Sequence, residues 1–458
     1  MNDVLKAIHA AVGHRGLLTG AEVRARPANI KGGECAAAAV VRPDSTEALS
    51  RVLAACHRAG QPVVPVGGGT GLVDGALAAP GDVVVSLERM NRVERVDTVG
   101  RTARVQAGVA LATVQGRAED AGLSFAVDFG ARGTATIGGA IATNAGGNRV
   151  LRYGMMREQV LGIEAVLADG TVVSSLKPFL KNNTGYDIKQ LFIGSEGTLG
   201  IVTRAVLRLR PAPRSRTTAM LAVEEFAALP RLLTLLDSRL GGGLGCFEVM
   251  WNDFYRLVLE ASDRHVPPLA KDYPYYVLVE SLGAGAEQDE AVFQSALSEA
   301  MSAGIAVDAS IAVSRAQQSA MWAIRDDIEA LMTTLSPLYA FDVSLALDDM
   351  EGYVIDVRSR LLDRWPGARC VVFGHLGDGN LHLVVSPGED TPAAKAETEE
   401  IVYGALRGPG GSISAEHGIG LEKKAYLPYS RSASELAVMR SLKQALDPAG
   451  ILNPGKVL

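Results

Sequence analysis

The chain has 458 residues, 48% of them apolar and 5% aromatic, with 50 glycines and a formal net charge of −6. That length exceeds the roughly 250–300 residues at which single cores stop growing, so two domains are expected. Acids alternate with bases without a Lys/Arg block, which excludes a nucleic-acid footprint. Four scattered cysteines without C-x-x-C exclude a disulfide framework and an iron–sulfur site.

In chain order, a helix is expected over about 2–17, then a strand at Ala36–Val41. Asp44 and Ser45 can cap a helix striped by Leu49, Val52, Leu53 and Cys56, which Gly60 stops. A second strand, Pro62–Val66, runs into Gly67-Gly68-Gly69-Thr70-Gly71, and a third follows at Asp82–Leu87. Val93–Val96 and Thr102–Gln106 read as a hairpin, Leu111–Ala121 as a helix stopped by Gly122, and Asp169-Gly170 as a second hairpin turn. Gly130–Gly147 is unusually small-residued, and Gly194-Ser-Glu-Gly197-Thr-Leu-Gly200 makes a third glycine loop. Pro211 and Pro213 mark a boundary. Beyond it strands at Thr218–Val223, Tyr275–Glu280, Ala340–Leu345, Cys370–Gly374 and Leu381–Val385 alternate with helices near 225–238, 286–303, 315–332, 348–363 and 392–406. This is an α+β domain with a mostly antiparallel sheet. A last helix is expected over 432–445. No long apolar run or charged apolar leader is seen, so a soluble cytoplasmic protein is expected, compatible with peripheral docking on a membrane.

The first glycine loop fails the Rossmann fingerprint, because Leu72 stands where the last glycine belongs. The tail Gly450-x4-Gly455-Lys456 fails the Walker pattern at Val457. Three glycine loops in one domain point instead to backbone that approaches a large flat ligand, such as an extended dinucleotide. Asp378-Gly379 reads as a two-residue hairpin turn, which sets His375 directly opposite His382, with Cβ atoms about 4.5–5.5 Å apart. That spacing lets two imidazoles share a metal ion, and Glu416 in Ser414-Ala-Glu-His417 is a third candidate ligand.

Val64-Pro-Val-Gly-Gly-Gly-Thr-Gly-Leu-Val, Ile137-Gly-Gly-Ala-Ile-Ala-Thr-Asn-Ala-Gly-Gly, Gly194-Ser-Glu-Gly-Thr-Leu-Gly-Ile-Val, Gly374-His-Leu-Gly-Asp-Gly-Asn-Leu-His, Ala415-Glu-His-Gly-Ile-Gly and Leu452-Asn-Pro-Gly-Lys resemble the vanillyl-alcohol-oxidase type of FAD flavoproteins. The branch they resemble most is the D-2-hydroxyacid dehydrogenases acting on D-lactate, glycolate or D-2-hydroxyglutarate. The resemblance implies an N-terminal helical segment (1–35), a two-lobed FAD domain (36–213), a substrate or cap domain carrying a metal site (214–430), and a helix and tail returning to the FAD domain (431–458). It implies that FAD lies on Pro65, Val66, Gly67, Gly68, Gly69, Thr70, Gly71 and Leu72 of the first loop. The second and third loops would contribute Asp128, Thr136, Ile137, Gly138, Gly139, Ala142, Thr143, Asn144, Gly146, Glu196, Gly200, Ile201 and Val202, with Asn453 near the flavin. Relatives that attach FAD covalently use a histidine in or near the first loop. Thr70 there implies noncovalent FAD.

The resemblance also implies a zinc or manganese ion on His375, His382 and Glu416, His417 as general base and Arg325 as the substrate-carboxylate arginine. The reaction implied is oxidation of a 2-hydroxy acid to the 2-oxo acid, with electrons passed to an external acceptor: a quinone, an electron-transfer flavoprotein or a cytochrome. A homodimer is compatible. Three positions depart from the 2-hydroxyglutarate branch. Ala340, Val384 and Glu329 stand where it has Lys, Asn and Thr, so a monocarboxylic D-2-hydroxy acid is the expected substrate and D-2-hydroxyglutarate or D-malate the alternative. A flavin-binding electron-relay subunit is the rival from another class; a relay needs no metal ligands or base, so His375, His382, Glu416 and His417 argue against it.

Overall fold

The computed structural model describes residues 3–458, so the start of the first expected helix at Asn2 lies outside the described residues. Asp3–Val12 is helical. The chain divides into two compact units: 1–147 with 153–212 and 416–458, and 148–152 with 213–415. The first unit therefore takes the chain back at Glu416, earlier than the expected return at 431. The cause is local. The Ile419 and Gly420 amides bond Glu196, and Leu421 N donates to the Val73 carbonyl at 2.9 Å, so the segment belongs to the first unit from Glu416 onward.

Beside two small two-stranded sheets, two large sheets build the first unit. In one, Ala39–Val41, Val83–Ser86 and Val63–Val66 run parallel, with Leu17–Thr19 antiparallel at the edge. Strands alternating with a helix such as Thr46–Ala59 favour this arrangement. Ser45 caps that helix, accepting from Ala48 N at 3.2 Å, and Gly60 ends it at φ 61°. The buried stripe Leu49, Val52, Leu53 and Cys56 packs into the core shared with the second sheet. That sheet is antiparallel, ordered Val172–Ser175, Val160–Val166, Ile201–Arg208, Thr102–Gln106, Val93–Asp97. The tail closes the first sheet: Val63 N donates to Ile451 O and Asn453 N to Val63 O, both at 2.8 Å.

A seven-stranded antiparallel sheet builds the second unit, from β1 (Ser215–Val223), β2 (Leu244–Trp251), β3 (Tyr275–Gly283), β4 (Asp308–Ile311), β5 (Tyr339–Ser344), β6 (Arg369–Gly374) and β7 (Asn380–Ser386). The spatial order is β4-β1-β3-β2-β6-β7-β5. Register places Met220, Leu278, Met250, Phe373 and Val384 on one face. Helices α1 (Asn252–Ala261), α2 (Arg315–Arg325) and α3 (Ile328–Thr334) cover that face and bury Phe254, Ile324 and Leu331 with it. The stretch expected as one helix over 315–332 is thus two. Asp326 and Asp327 break it, and Asp327 caps the second helix by accepting from Ala330 N at 3.1 Å. Strand β2 escapes periodicity because it is buried on both faces and shows no alternation. Among the described residues no helix is long and apolar enough to cross a membrane.

All four cysteines are free. Burial pushes the Cys56 and Cys370 thiols up to about 12 and raises the Cys246 thiol well above its ordinary value. Since the thiolate is the nucleophile, these three should stay unmodified by iodoacetamide near pH 8 in the native protein and react fully after denaturation, as read by peptide mass spectrometry.

Candidate active site

The covered face of the seven-stranded sheet is apolar except along one end, where consecutive strands contribute Glu280 (β3), Glu248 (β2), the β6 end leading to His375, His382 (β7) and Asp342 (β5). Charge this deeply buried must be paired. Glu280, fully buried, lies 2.6 Å from Arg149 Nη1 and accepts from Trp322 Nε1 at 3.0 Å. Glu248, 1% exposed, accepts from Arg325 Nε at 2.8 Å and bonds His375 Nδ1 at 2.7 Å. Burial pushes the Glu248 carboxyl up. His375 and Arg325 pull it further down, and it ends below the usual carboxylate range. Asp342 accepts from Asn380 Nδ2 at 2.9 Å and lies 3.9 Å from His382 Nδ1.

The two histidines meet, but not by the expected register. His382 pairs with Phe373, two residues before His375. The connection is not a two-residue turn: Leu376–Asp378 form a 3₁₀ turn, and of Asp378 and Gly379 only Gly379 takes positive φ, at 86°. A primed turn needs both central residues there, and Asp378 declines. His375 is thus a diagonal neighbour of His382 on one face, still near enough for ring centroids 5.4 Å apart at 80°.

Arg325 ends α2, is 5% exposed, and lays its guanidinium 4.9 Å from the Phe373 ring centroid. Glu248 takes its Nε, and its Nη1 lies 3.9 Å from Asp326 Oδ1, outside hydrogen-bond range, so neither Nη is spent on Glu248. Glu329 departs from expectation. It lies on the exposed side of α3 and pairs with Arg264 at 3.0 Å, its side chain 70% exposed. It therefore faces water and is already neutralised, which removes the repulsion expected against a second substrate carboxylate. Ala340 is exposed on edge strand β5, and its ladder partner Val384 packs in the apolar cluster.

In the first unit the glycines divide into two kinds. Some let loops touch: a Cβ at Gly68 would meet the Thr134 carbonyl at 2.0 Å, and one at Gly138 the Ala107 Cβ at 2.8 Å. Others face open space, for a Cβ at Gly69, Gly71, Gly130 or Gly133 meets nothing within 4 Å. Bare backbone over open space is what a dinucleotide needs. Thr136 caps the short helix Ile137–Thr143, accepting from Gly139 N, and Asn144 ends it at φ 49°. Ala142 O accepts from Glu196 N, Thr143 Oγ1 donates to Gly139 O, and Asn144 Oδ1 accepts from Arg157 N. Pro65 packs under Gly197 and Gly200 against Phe192, while Ile201 and Val202 are buried in the core. Asp128 Oδ1 accepts from Arg132 at 2.5 Å and Gln115 at 3.1 Å.

Two expected flavin residues spend their side chains elsewhere. Glu196 accepts from Ile419 N at 2.7 Å and Gly420 N at 2.9 Å, and burial raises its carboxyl above the usual range. Asn453 donates to the Gly75 and Glu196 carbonyls and accepts from Lys456 Nζ. Glu416 opens the returning segment, its Oε1 accepting from Gly147 N at 2.6 Å, and His417 follows it, half-buried. Sequence reasoning misses Glu248, Asp342 and Glu280. A signal for them exists, a lone acid inside an apolar strand, as in Cys246-Phe-Glu-Val-Met.

A family model described as FAD linked oxidases, C-terminal domain, matches residues 212–457, and one described as FAD binding domain matches 37–175. The chain belongs to the FAD-linked oxidases. Curated relatives of this FAD-linked oxidase carry the name D-2-hydroxyglutarate dehydrogenase. One from Xanthomonas citri pv. viticola is 41% identical over 92% of this chain and 89% of its own length, and the mitochondrial one of Bos taurus is 39% identical over 92% and 76%. Among solved structures, p-cresol methylhydroxylase superposes with a TM-score of 0.79 at 16% identity, covering 100% of this chain and 96% of its own. The fold is that vanillyl-alcohol-oxidase type, and the protein is an FAD-linked oxidoreductase of the D-2-hydroxyacid dehydrogenase family.

Because Glu329 faces solvent, Glu329→Ala is expected to leave kcat/KM within about twofold and stability within about 0.5 kcal/mol of the parent. A large gain selective for a dicarboxylate would show that Glu329 does face the substrate.

Proposed function

We propose that this FAD-linked oxidase dehydrogenates a D-2-hydroxy acid to the 2-oxo acid, with D-2-hydroxyglutarate as the favoured substrate. The carrying observation is the Glu248-centred cluster, which sets a buried arginine fork beside two imidazoles at one end of one sheet face. The names of the relatives favour the dicarboxylate, and the outward, paired Glu329 removes the main objection to it. Ala340 and Val384, which offer no partner to a distal carboxylate, support the second reading, a monocarboxylic D-2-hydroxy acid.

In this reading the Nη groups of Arg325 hold the C1 carboxylate bidentately and so orient C2. His375, His382 and Glu416 would hold a divalent cation, zinc or manganese, which would supply Lewis acidity to the C2 hydroxyl. The donor chemistry fits such an ion. His375 is backed by the Glu248 carboxylate at 2.7 Å, as ligating histidines usually are, and Asp342 lies 3.9 Å from His382 Nδ1. Glu416 follows Ala415, whose N–H donates to the Asp342 carbonyl at 3.3 Å, and Asp342 is the ladder partner of His382. An imidazole nitrogen of His417 takes the hydroxyl proton. FAD would supply the acceptor for the C2 hydride, and an external acceptor would take up its electrons. Proton and hydride together account for the two hydrogens lost.

Rates with D-2-hydroxyglutarate and D-lactate, measured side by side by dye reduction on metal-replete protein, test the substrate assignment. We expect kcat/KM about tenfold or more higher for the dicarboxylate, a difference of about 1.4 kcal/mol. The reverse order would establish the monocarboxylic reading.

Thr70 in place of a histidine supports noncovalent FAD. Acid precipitation should release all yellow colour into the supernatant, and flavin retained in the pellet would contradict it.

A further inference from the structure

We propose that Glu248 is the positioning residue that ties the metal-binding histidine to the substrate-binding arginine, one oxygen for each. This rests on the proposed roles of His375 and Arg325, and it assigns a job to a residue outside the ligand set and the reacting groups. Oε1 lies 2.7 Å from His375 Nδ1, and Oε2 accepts from Arg325 Nε at 2.8 Å. A carboxylate engaged with a guanidinium offers acceptors only, so Nδ1 must carry the proton. The ring is then held as the tautomer whose lone pair is on Nε2, the nitrogen a metal would take. On the other side, engaging Nε instead of an Nη leaves the forked edge of Arg325 for a carboxylate, while Phe373 supports the guanidinium plane at 4.9 Å.

The surroundings explain why one residue serves both. Glu248 stands on β2, beside the β6 strand that leads to His375, and Arg325 is delivered to the same spot by the end of α2. The side chain is 1% exposed, so no bulk water substitutes for either bond. Metal affinity and substrate binding are therefore set by one carboxylate and separable by chemistry. An amide at this position keeps one acceptor, which the charged Arg325 claims, and turns its NH2 toward His375. Nδ1 must then accept, which moves the ring proton to Nε2 and blocks that nitrogen as a ligand.

The experiment uses metal-stripped, FAD-loaded full-length protein titrated with Zn²⁺ and with Mn²⁺, bound metal being read by equilibrium dialysis. Glu248→Gln is expected to weaken both metals roughly tenfold to a hundredfold. Its KM for the 2-hydroxy acid at saturating metal should rise less than that of Glu248→Ala, because the amide oxygen still accepts from Arg325. In ¹⁵N spectra of the metal-free variant the His375 proton should move from Nδ1 to Nε2. Glu248→Ala, which also strips Arg325 of its partner, is expected to raise KM as well. Far-ultraviolet circular dichroism and flavin content check that it folds, and the near-isosteric Gln variant carries the test if it does not. Parent-like metal affinity and an unmoved tautomer in Glu248→Gln overturn the proposal. His375→Ala separates the two levels. If it loses the metal while Glu248→Gln keeps it, the positioning role is wrong. If His375→Ala also binds both metals like the parent, the metal assignment itself fails.

Discussion

A charge taken out of water must find an opposite charge or a hydrogen-bond partner, and that requirement organises the second unit. Its sheet could have been apolar over the whole covered face. Instead one end of five neighbouring strands is given to acids and imidazoles, with Glu280 paired to Arg149, Glu248 to Arg325 and His375, and Asp342 to Asn380. The apolar remainder under α1, α2 and α3 makes the region rigid. Such a row costs stability relative to well-packed apolar residues of similar volume. Its retention fits a region kept for chemistry: cations and imidazoles held in fixed directions before any ligand arrives.

The first unit meets a different constraint. Loops that present bare backbone to a large ligand have few side chains with which to hold themselves. Here they are held by each other. Gly68 lies against the Thr134 carbonyl, the Asp128–Gly147 bridge closes the second loop, and Glu196 staples the third loop to the returning segment. Glu196 and Asn453, expected beside the flavin, also bond the loops themselves with their side chains.

Much of this architecture is legible in the amino-acid order alone. The glycine loops, the capped helix from Thr46, the antiparallel second domain and the histidine pair all carry local signals of spacing and turn chemistry. What is not legible has physical causes. Asp378-Gly379 looks like a primed turn, but the chain closes through a 3₁₀ turn at Leu376–Asp378, and the register slips by two residues. Strand β2 is buried on both faces, so it has no alternation to read. Glu329 sits four residues after Arg325, yet the break at Asp326 and Asp327 turns it outward to Arg264. Glu248 escapes notice because its partners lie 77 and 127 residues away.

The return of the chain at Glu416 bears on how the protein is made. Synthesis proceeds from the N-terminus, and domains generally fold as units as they emerge. The stretch 213–415 leaves the ribosome as one continuous piece and can consolidate at once. The half made first cannot. Val63 waits for Ile451 and Asn453, and Glu196 waits for Ile419 and Gly420. The glycine-loop unit thus completes after the second unit, the edge of its parallel sheet staying open until Ile451 and Asn453 emerge. A chain cut between 416 and 451 would spare the histidine pair and leave the glycine-loop unit unfinished.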